Sequence, residues 1–188
     1  MLRRSLLTSA IAASLLTTFS LPAFATQVYE TDLVIIGGGL SGLAAAQSAV
    51  DQGAKPIVLE KEAALGGGGN FPEGSLGVGT RYQKEHNINT TVDQVLTAAL
   101  QYHHYRADPH VLRVLIEESG KTIDWVMDKG AQMRGIRTMY PKDESLMTWH
   151  LFKGGAAGII QRFAKEVRAK GGTILTETPA TIHPIQRS

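Results

Sequence analysis

Asp32-Leu33-Val34-Ile35-Ile36-Gly37-Gly38-Gly39-Leu40-Ser41-Gly42-Leu43-Ala44-Ala45-Ala46 is the stretch that decides the fold. It reads as a short apolar strand that breaks on glycines and restarts as a helix. Four consecutive apolar residues, Leu33 to Ile36, fit a parallel strand buried on both faces. The spacing Gly37-x-Gly39-x-x-Gly42 is the dinucleotide-binding fingerprint. Gly37 permits the tight turn, Gly39 lets the backbone approach a pyrophosphate, and Gly42 lets helix and strand pack closely. Gly38 sits between them in the same turn. The helix, read over 41–52 and ended by Gly53, points its free N–H groups and positive dipole end at the phosphates. Lys55 to Glu60 is the next strand. Glu60 falls where an acid can accept the hydroxyls of an adenosine ribose, and its charge disfavours a 2′-phosphate.

The 188 residues allow one domain, or one and a piece of a second. Hydrophobic residues make up 43% of the chain, enough for a core, and the 20 glycines cluster in 37–42, 66–79 and 154–158. The formal charge of +2 vanishes once Arg3 and Arg4 are set aside as part of a leader. A near-neutral chain gives no sign of nucleic acid or an anionic membrane as partner. With no cysteine, disulfides, thiolate metal sites and iron–sulfur ligation within the chain are excluded.

The N-terminus reads as a signal peptide over residues 1–25. Arg3-Arg4 is a basic start, 5–21 is apolar, and Ala23-Phe24-Ala25 supplies the small residues of a cleavage site before Thr26. The expected location is periplasmic or secreted, with no stable membrane span after cleavage. Arg3-Arg4-Ser5-Leu6-Leu7 also resembles a twin-arginine signal, so both the twin-arginine and the general secretory route stay open.

A second glycine stretch follows Glu60: Lys61-Glu62-Ala63-Ala64-Leu65-Gly66-Gly67-Gly68-Gly69-Asn70-Phe71-Pro72-Glu73-Gly74-Ser75-Leu76-Gly77-Val78-Gly79. A nicotinamide enzyme has no need of such a loop here. Extended FAD does, because a second backbone segment must pass close under it. From Glu60-Lys61-Glu62 through Gly-Gly-Asn to Glu73-Gly74-Ser75-Leu76-Gly77-Val78-Gly79, the chain resembles the FAD domain of the fumarate reductase and 3-ketosteroid dehydrogenase flavoproteins. The resemblance covers about residues 30–182. It implies an α/β, Rossmann-type FAD-binding domain with a parallel sheet and an excursion toward a capping domain. Carried over by position, Gly37, Gly38, Gly39, Ser41 and Gly42 lie at the pyrophosphate, Glu60 on the ribose, Lys61 among the cofactor-binding residues, and Asn70 and Gly74 in the flavin loop. Two extra glycines precede Asn70, and Phe71 stands where Ser or Ala is common in the family.

Apolar spacing at Val92, Val95, Leu96, Ala99 and Leu100 predicts a helix within 90–104. Asp108-Pro109 predicts the start of another, reaching Lys129, with Val111, Leu112, Leu115, Ile116, Ile123 and Val126 inward and Gly120 as a possible interruption. Residues 132–140 read as irregular or short extended chain. Thr148-Trp149-His150 resembles the family's Arg-x-His segment, with Thr148 in place of Arg. A helix over 158–169 and a strand over 173–177 follow. The resemblance then implies a return to the sheet at Thr178–Thr181, with Ala180 reading the adenine edge.

No motif in the chain identifies a catalytic residue. His103 and His104 face different sides of a helix and are expected on the surface. His110 and Glu117 lack a third ligand, so no metal site is expected. His150 has two readings, a substrate-side group or a hydrogen-bonded structural histidine. The resemblance further implies a fumarate-reductase-like reaction, hydride transfer between flavin N5 and an activated C=C bond of a small carboxylate. An external electron donor, a cytochrome or quinol-linked protein, is implied with it. A ketosteroid-type dehydrogenase, or a truncated flavin-binding remnant without activity, are the alternatives. Family members are more than twice as long, so an incomplete sheet with exposed apolar surface is expected.

Overall fold

The computed structural model describes residues 27–139 and 146–181; the signal-peptide reading at 1–25 and the end at 182–188 lie outside these. Thr31–Ser188 forms one compact unit, separate from Met1–Glu30. Its elements are β1 (Leu33–Ile36), α1 (Leu40–Asp51), β2 (Pro56–Leu59), a 3-10 turn (Gly67–Asn70), β3 (Gly74–Leu76), α2 (Arg81–Glu85), α3 (Val92–Tyr102), α4 (Pro109–Asp128), β4 (Met133–Thr138), β5 (Met147–Phe152), α5 (Gly155–Ala169) and β6 (Thr173–Leu175).

The first sheet is parallel, in the order β1-β2-β6, with Leu33 beside Pro56 and Ile57 beside Thr173. Parallel neighbours need a crossover, and α1 and α5 provide the helices that pack against each other. α1 presents Leu43, Ala46, Gln47 and Val50 inward at helical spacing, and it ends where Gly53 donates its N–H to the Val50 carbonyl. The main core gathers Leu43, Ile123, Phe152, Ile159, Ile160 and Phe163 from α1, α4, β5 and α5. A smaller cluster of Ala46, Val50, Val58 and Val167 seals α1 and α5 onto the sheet.

β1 departs from the sequence reading. Its residues are not buried on both faces: Leu33, Val34 and Ile36 are 43%, 53% and 65% exposed. The strand lies at the sheet edge with β2 on one side, and no described strand covers the other. Among the described residues this sheet has three strands, and the expected exposed apolar surface is present on β1.

The excursion between β2 and β6 is part helical and part sheet. α3 starts on a reciprocal cap, Thr91 with Gln94, and α4 on the Asp108 carboxylate, which accepts the His110 N–H at 2.8 Å. Gly120 does not interrupt α4. It sits where the Val78 carbonyl oxygen approaches, and a β-carbon there would collide with it. Val111 and Leu115, read as inward, are 65% and 58% exposed; Ile116, Ser119, Ile123 and Val126 form the buried face. The second sheet is antiparallel, in the order β3-β5-β4. Within 132–140, β4 is a full strand, and β5, which no sequence signal separated from its surroundings, is the centre of this sheet. α5 begins at Gly155, three residues earlier than its spacing indicates, and the last strand stops at Leu175.

Three helices are tied at one end by charge. Asp51 on α1 receives Lys129 at 2.6 Å and Lys170 at 2.7 Å, and Glu166 also accepts from Lys170 at 2.7 Å. Burial pushes the Asp51 carboxyl up, but the bonds from Lys129, Lys170 and Gln47 outweigh it and bring it down to about 2. This carboxylate's contribution is complete above its ordinary 3.8 and is lost as pH falls toward 2. Asp51→Asn should flatten the acid limb of a thermal-stability profile between about pH 4 and 2; an unchanged limb would assign acid sensitivity elsewhere.

Candidate cofactor site

The glycine turn is built from both strands of the βαβ unit. The Gly37 N–H donates to the Leu59 carbonyl at 2.8 Å, which holds the end of β1 against the end of β2. Gly42 must lack a side chain, because a β-carbon there would collide with the Gly37 carbonyl oxygen. Gly39 is the N-cap of α1, and no side chain caps the helix. The first-turn amides, including that of exposed Ser41, are thus left to an external acceptor.

Glu60 stands just past β2 and is 8% exposed. Its Oε2 accepts the Gly38 N–H at 2.7 Å and its Oε1 the Glu62 N–H at 2.9 Å. Those bonds, from Glu62 first and Gly38 next, outweigh burial and hold the carboxyl below its usual range. Each oxygen keeps a second lone pair for a ribose hydroxyl. Lys61 is exposed and pairs with Glu62 at 2.9 Å. The chain after β6 returns beside this corner: the Thr178 N–H donates to the Glu60 carbonyl at 2.8 Å. Ala180 lies two residues further on, in exposed irregular chain rather than in a strand.

The second glycine stretch lies against the first. Gly39 and Gly66 form a parallel bridge, and the Gly66 N–H donates to the Gly38 carbonyl at 2.9 Å. Asn70 Nδ2 donates to the Leu65 carbonyl at 2.9 Å. Gly74 lies in β3 opposite Leu151, and its missing side chain makes room for the His150 carbonyl oxygen. Two clefts, of about 380 Å³ along α3 and about 250 Å³ beside α5, lie away from the turn, whose Gly38 is buried and whose Gly37 and Gly39 are half-buried.

The histidines resolve as follows. His103 and His104 are both exposed, and no cluster of metal-ligating side chains occurs among the described residues. His150 is fully buried. A carbonyl only accepts, so Nδ1, 3.0 Å from the Thr148 oxygen, carries the proton. Nε2 then accepts from the Thr80 hydroxyl at 2.8 Å, which itself accepts the Gln83 N–H at 3.0 Å. These two bonds join β5 to the start of α2, the arrangement of a hydrogen-bonded structural histidine. Sequence reasoning missed Thr80 and Gln83, whose spacing is a helix-capping box. Burial lowers the His150 pKa, against the Thr148 bond and the Asp124 charge. Unfolding then takes up a proton, so stability is complete above pH 6.5 and declines as pH falls below it. His150→Gln should remove that slope, read as melting temperature from pH 7.5 to 5.

A model of the FAD binding domain matches residues 32–182. The chain belongs to this family. Its cofactor is FAD, and the uncapped α1 N-terminus beside the Glu60 carboxylate fits the pyrophosphate and ribose of that cofactor. Two relatives are reductases. The chain is 35% identical over 154 residues to a vinyl phenol reductase of Lactiplantibacillus plantarum, covering 81% of this chain and 31% of that protein. It is 31% identical over 143 residues to an NADH:fumarate oxidoreductase of Klebsiella pneumoniae, covering 70% and 15%. The open conformation of a flavocytochrome c3 fumarate reductase shares the fold, with a TM-score of 0.66 at 21% identity over 78% of this chain and 26% of that one. The FAD-binding chain thus spans under a third of the length of these proteins. Among its described residues, no helix is long and apolar enough to cross a membrane.

Proposed function

We propose that this FAD-binding chain is the pyrophosphate- and ribose-holding part of a fumarate-reductase-type flavoenzyme. The observation that carries the reading is Glu60: its carboxylate is anchored by the Gly38 and Glu62 amides directly beside the uncapped start of α1. When bound, the flavin supplies hydride chemistry toward an activated C=C bond. Fumarate and vinyl phenol, the compounds in the two relatives' names, each contain a conjugated C=C bond. A small unsaturated carboxylate as substrate and an external cytochrome or quinol-linked electron donor complete the proposal. The chain's own residues bind and orient: Gly37, Gly38, Gly39, Ser41 and Gly42 the pyrophosphate, Glu60 and Lys61 the ribose, Ala180 the adenine edge, and Asn70 and Gly74 the loop toward the flavin.

Export to the periplasm belongs to the same proposal, supported by Arg3-Arg4 and Ala23-Phe24-Ala25. A periplasmic extract should contain a chain whose first residue is Thr26.

Glu60→Gln is the test of the cofactor site. Its amide can offer one oxygen, but its NH₂ faces a backbone N–H with nothing to accept. FAD binding, followed by fluorescence titration, should weaken about tenfold, the scale of one charge-assisted hydrogen bond. Unchanged affinity would remove Glu60 from the site. ADP should bind within a few-fold of FAD, because the residues assembled here serve the ADP half.

A further inference from the structure

We infer that Asn70 is a positioning residue: its side chain clamps the second glycine turn onto the first and so sets the backbone on which the pyrophosphate rests. The inference builds on the reading of Gly37–Gly42 as the pyrophosphate site.

Within Gly66–Asn70 four of five residues are glycine, and Asn70 alone carries a side chain. Such a stretch loses more conformational entropy on ordering than any other composition. It is nevertheless placed closely against the first turn, through the Gly66 N–H on the Gly38 carbonyl and the Gly39–Gly66 bridge. The side-chain anchor is Asn70. Its Nδ2 reaches back five residues to the Leu65 carbonyl at 2.9 Å. The amide also lies across Gly66, where a β-carbon would collide with it, and Gly66 has φ +105°, a conformation that favours glycine. The Gly69 N–H closes the turn on the Gly66 carbonyl at 2.8 Å. A continuous path follows: Asn70 holds Leu65 and Gly66, Gly66 holds Gly38, and Gly38 donates to Glu60 at 2.7 Å. Removing the Asn70 donor frees the Leu65 end of a glycine segment whose other side-chain neighbours, Leu40 and Ile160 beside Gly69, are apolar and offer no hydrogen bond. The loosening reaches Gly38, which is part of the phosphate turn.

The experiment uses the 188-residue chain without cofactor, and then with ADP and FAD as separate probes. Amide exchange at Gly66 is followed by NMR, with Phe163 on α5 as internal reference. Asn70→Ala should accelerate Gly66 exchange about tenfold while leaving Phe163 unchanged. It should weaken ADP about threefold to tenfold, although ADP has no flavin to touch. Asn70→Asp gives the rescue. Ionised, it has no proton for the Leu65 carbonyl and should match Asn70→Ala. Near pH 3.5, where the carboxyl is largely protonated and can donate, Gly66 protection relative to Phe163 should return toward the parent chain. Unchanged Gly66 exchange in Asn70→Ala, or a loss confined to FAD with ADP unaffected, overturns the inference and leaves Asn70 as a direct flavin contact. Failure of the parent chain to bind either nucleotide defeats the pyrophosphate reading instead, while Gly66 exchange still decides whether Asn70 clamps the turn.

Discussion

Gly42→Ala is expected to weaken FAD and ADP binding by at least about thirtyfold and to cost about 2 kcal/mol of stability. The added β-carbon would meet the Gly37 carbonyl oxygen, and would lie 3.1 Å from the Gly37 carbonyl carbon and 3.4 Å from Ile35 Cγ2. None of these atoms is the end of a flexible side chain that can swing aside. The Gly37 peptide is held by its N–H on the Leu59 carbonyl, and Ile35 is paired beside Val58 in the sheet. Relief therefore requires α1 to move off the strand ends, which carries its first-turn amides away from the phosphates. Nucleotide titration and urea unfolding measure the two effects. Ala45→Ser, at an exposed position on the same helix, should alter neither. Parent-like affinity in Gly42→Ala would mean that the turn is not where the pyrophosphate sits.

Phe163→Ala should destabilise the chain by about 3–5 kcal/mol, the range for truncating a buried aromatic ring. Phe163 is 1% exposed and its ring lies 5.2 Å from that of Trp125. It belongs to the core formed by Leu43, Ile123, Phe152 and Ile160, so the cavity opens where α1, α4, β5 and α5 meet. A domain's whole margin is on the order of 5–15 kcal/mol, and here β1 leaves much of its apolar surface in water. The variant is therefore expected to populate unfolded chain at 37 °C. The urea midpoint should fall steeply with little change in slope. Val114→Ala, at a position on α4 that is 60% exposed, should stay within about 0.5 kcal/mol.

The parallel half of the fold was legible because its signals are local. The apolar run, the glycine spacing and the acid after β2 each act within a few residues of where they are written, as does the Asp108-Pro109 cap in the excursion. The antiparallel sheet was not legible. β5 alternates half-buried and buried residues, Met147 to Phe152, but its partner β3 lies about seventy residues earlier, β4 reads as irregular chain, and the histidine of β5 drew attention as chemistry. His150 illustrates the limit. Nothing in Thr148-Trp149-His150 reveals that Thr80, seventy residues away, supplies the hydroxyl its ring accepts. Val111 and Leu115 failed for a related reason: helical spacing identifies a face, but α3 covers the neighbouring Ile116 and the main core of α1, β5 and α5 takes up Ile123 instead.

The sequence by itself determined the strand–glycine-turn–helix unit, the place of Glu60 after the second strand and, through the second glycine stretch, FAD as cofactor class. These depend on backbone geometry that glycine alone permits and on a charge set at the end of a strand. Tertiary structure decided how those parts are held. It placed the Glu60 carboxylate on the Gly38 and Glu62 amides, brought Gly66 against Gly38, folded Asn70 back onto its own turn, and turned His150 inward. The physical reason is range: a strand, a turn or a cap is specified by neighbours in the chain. A hydrogen bond between segments distant in the chain, such as Gly38 to Glu60, Gly66 to Gly38 or Thr80 to His150, depends on how whole elements pack.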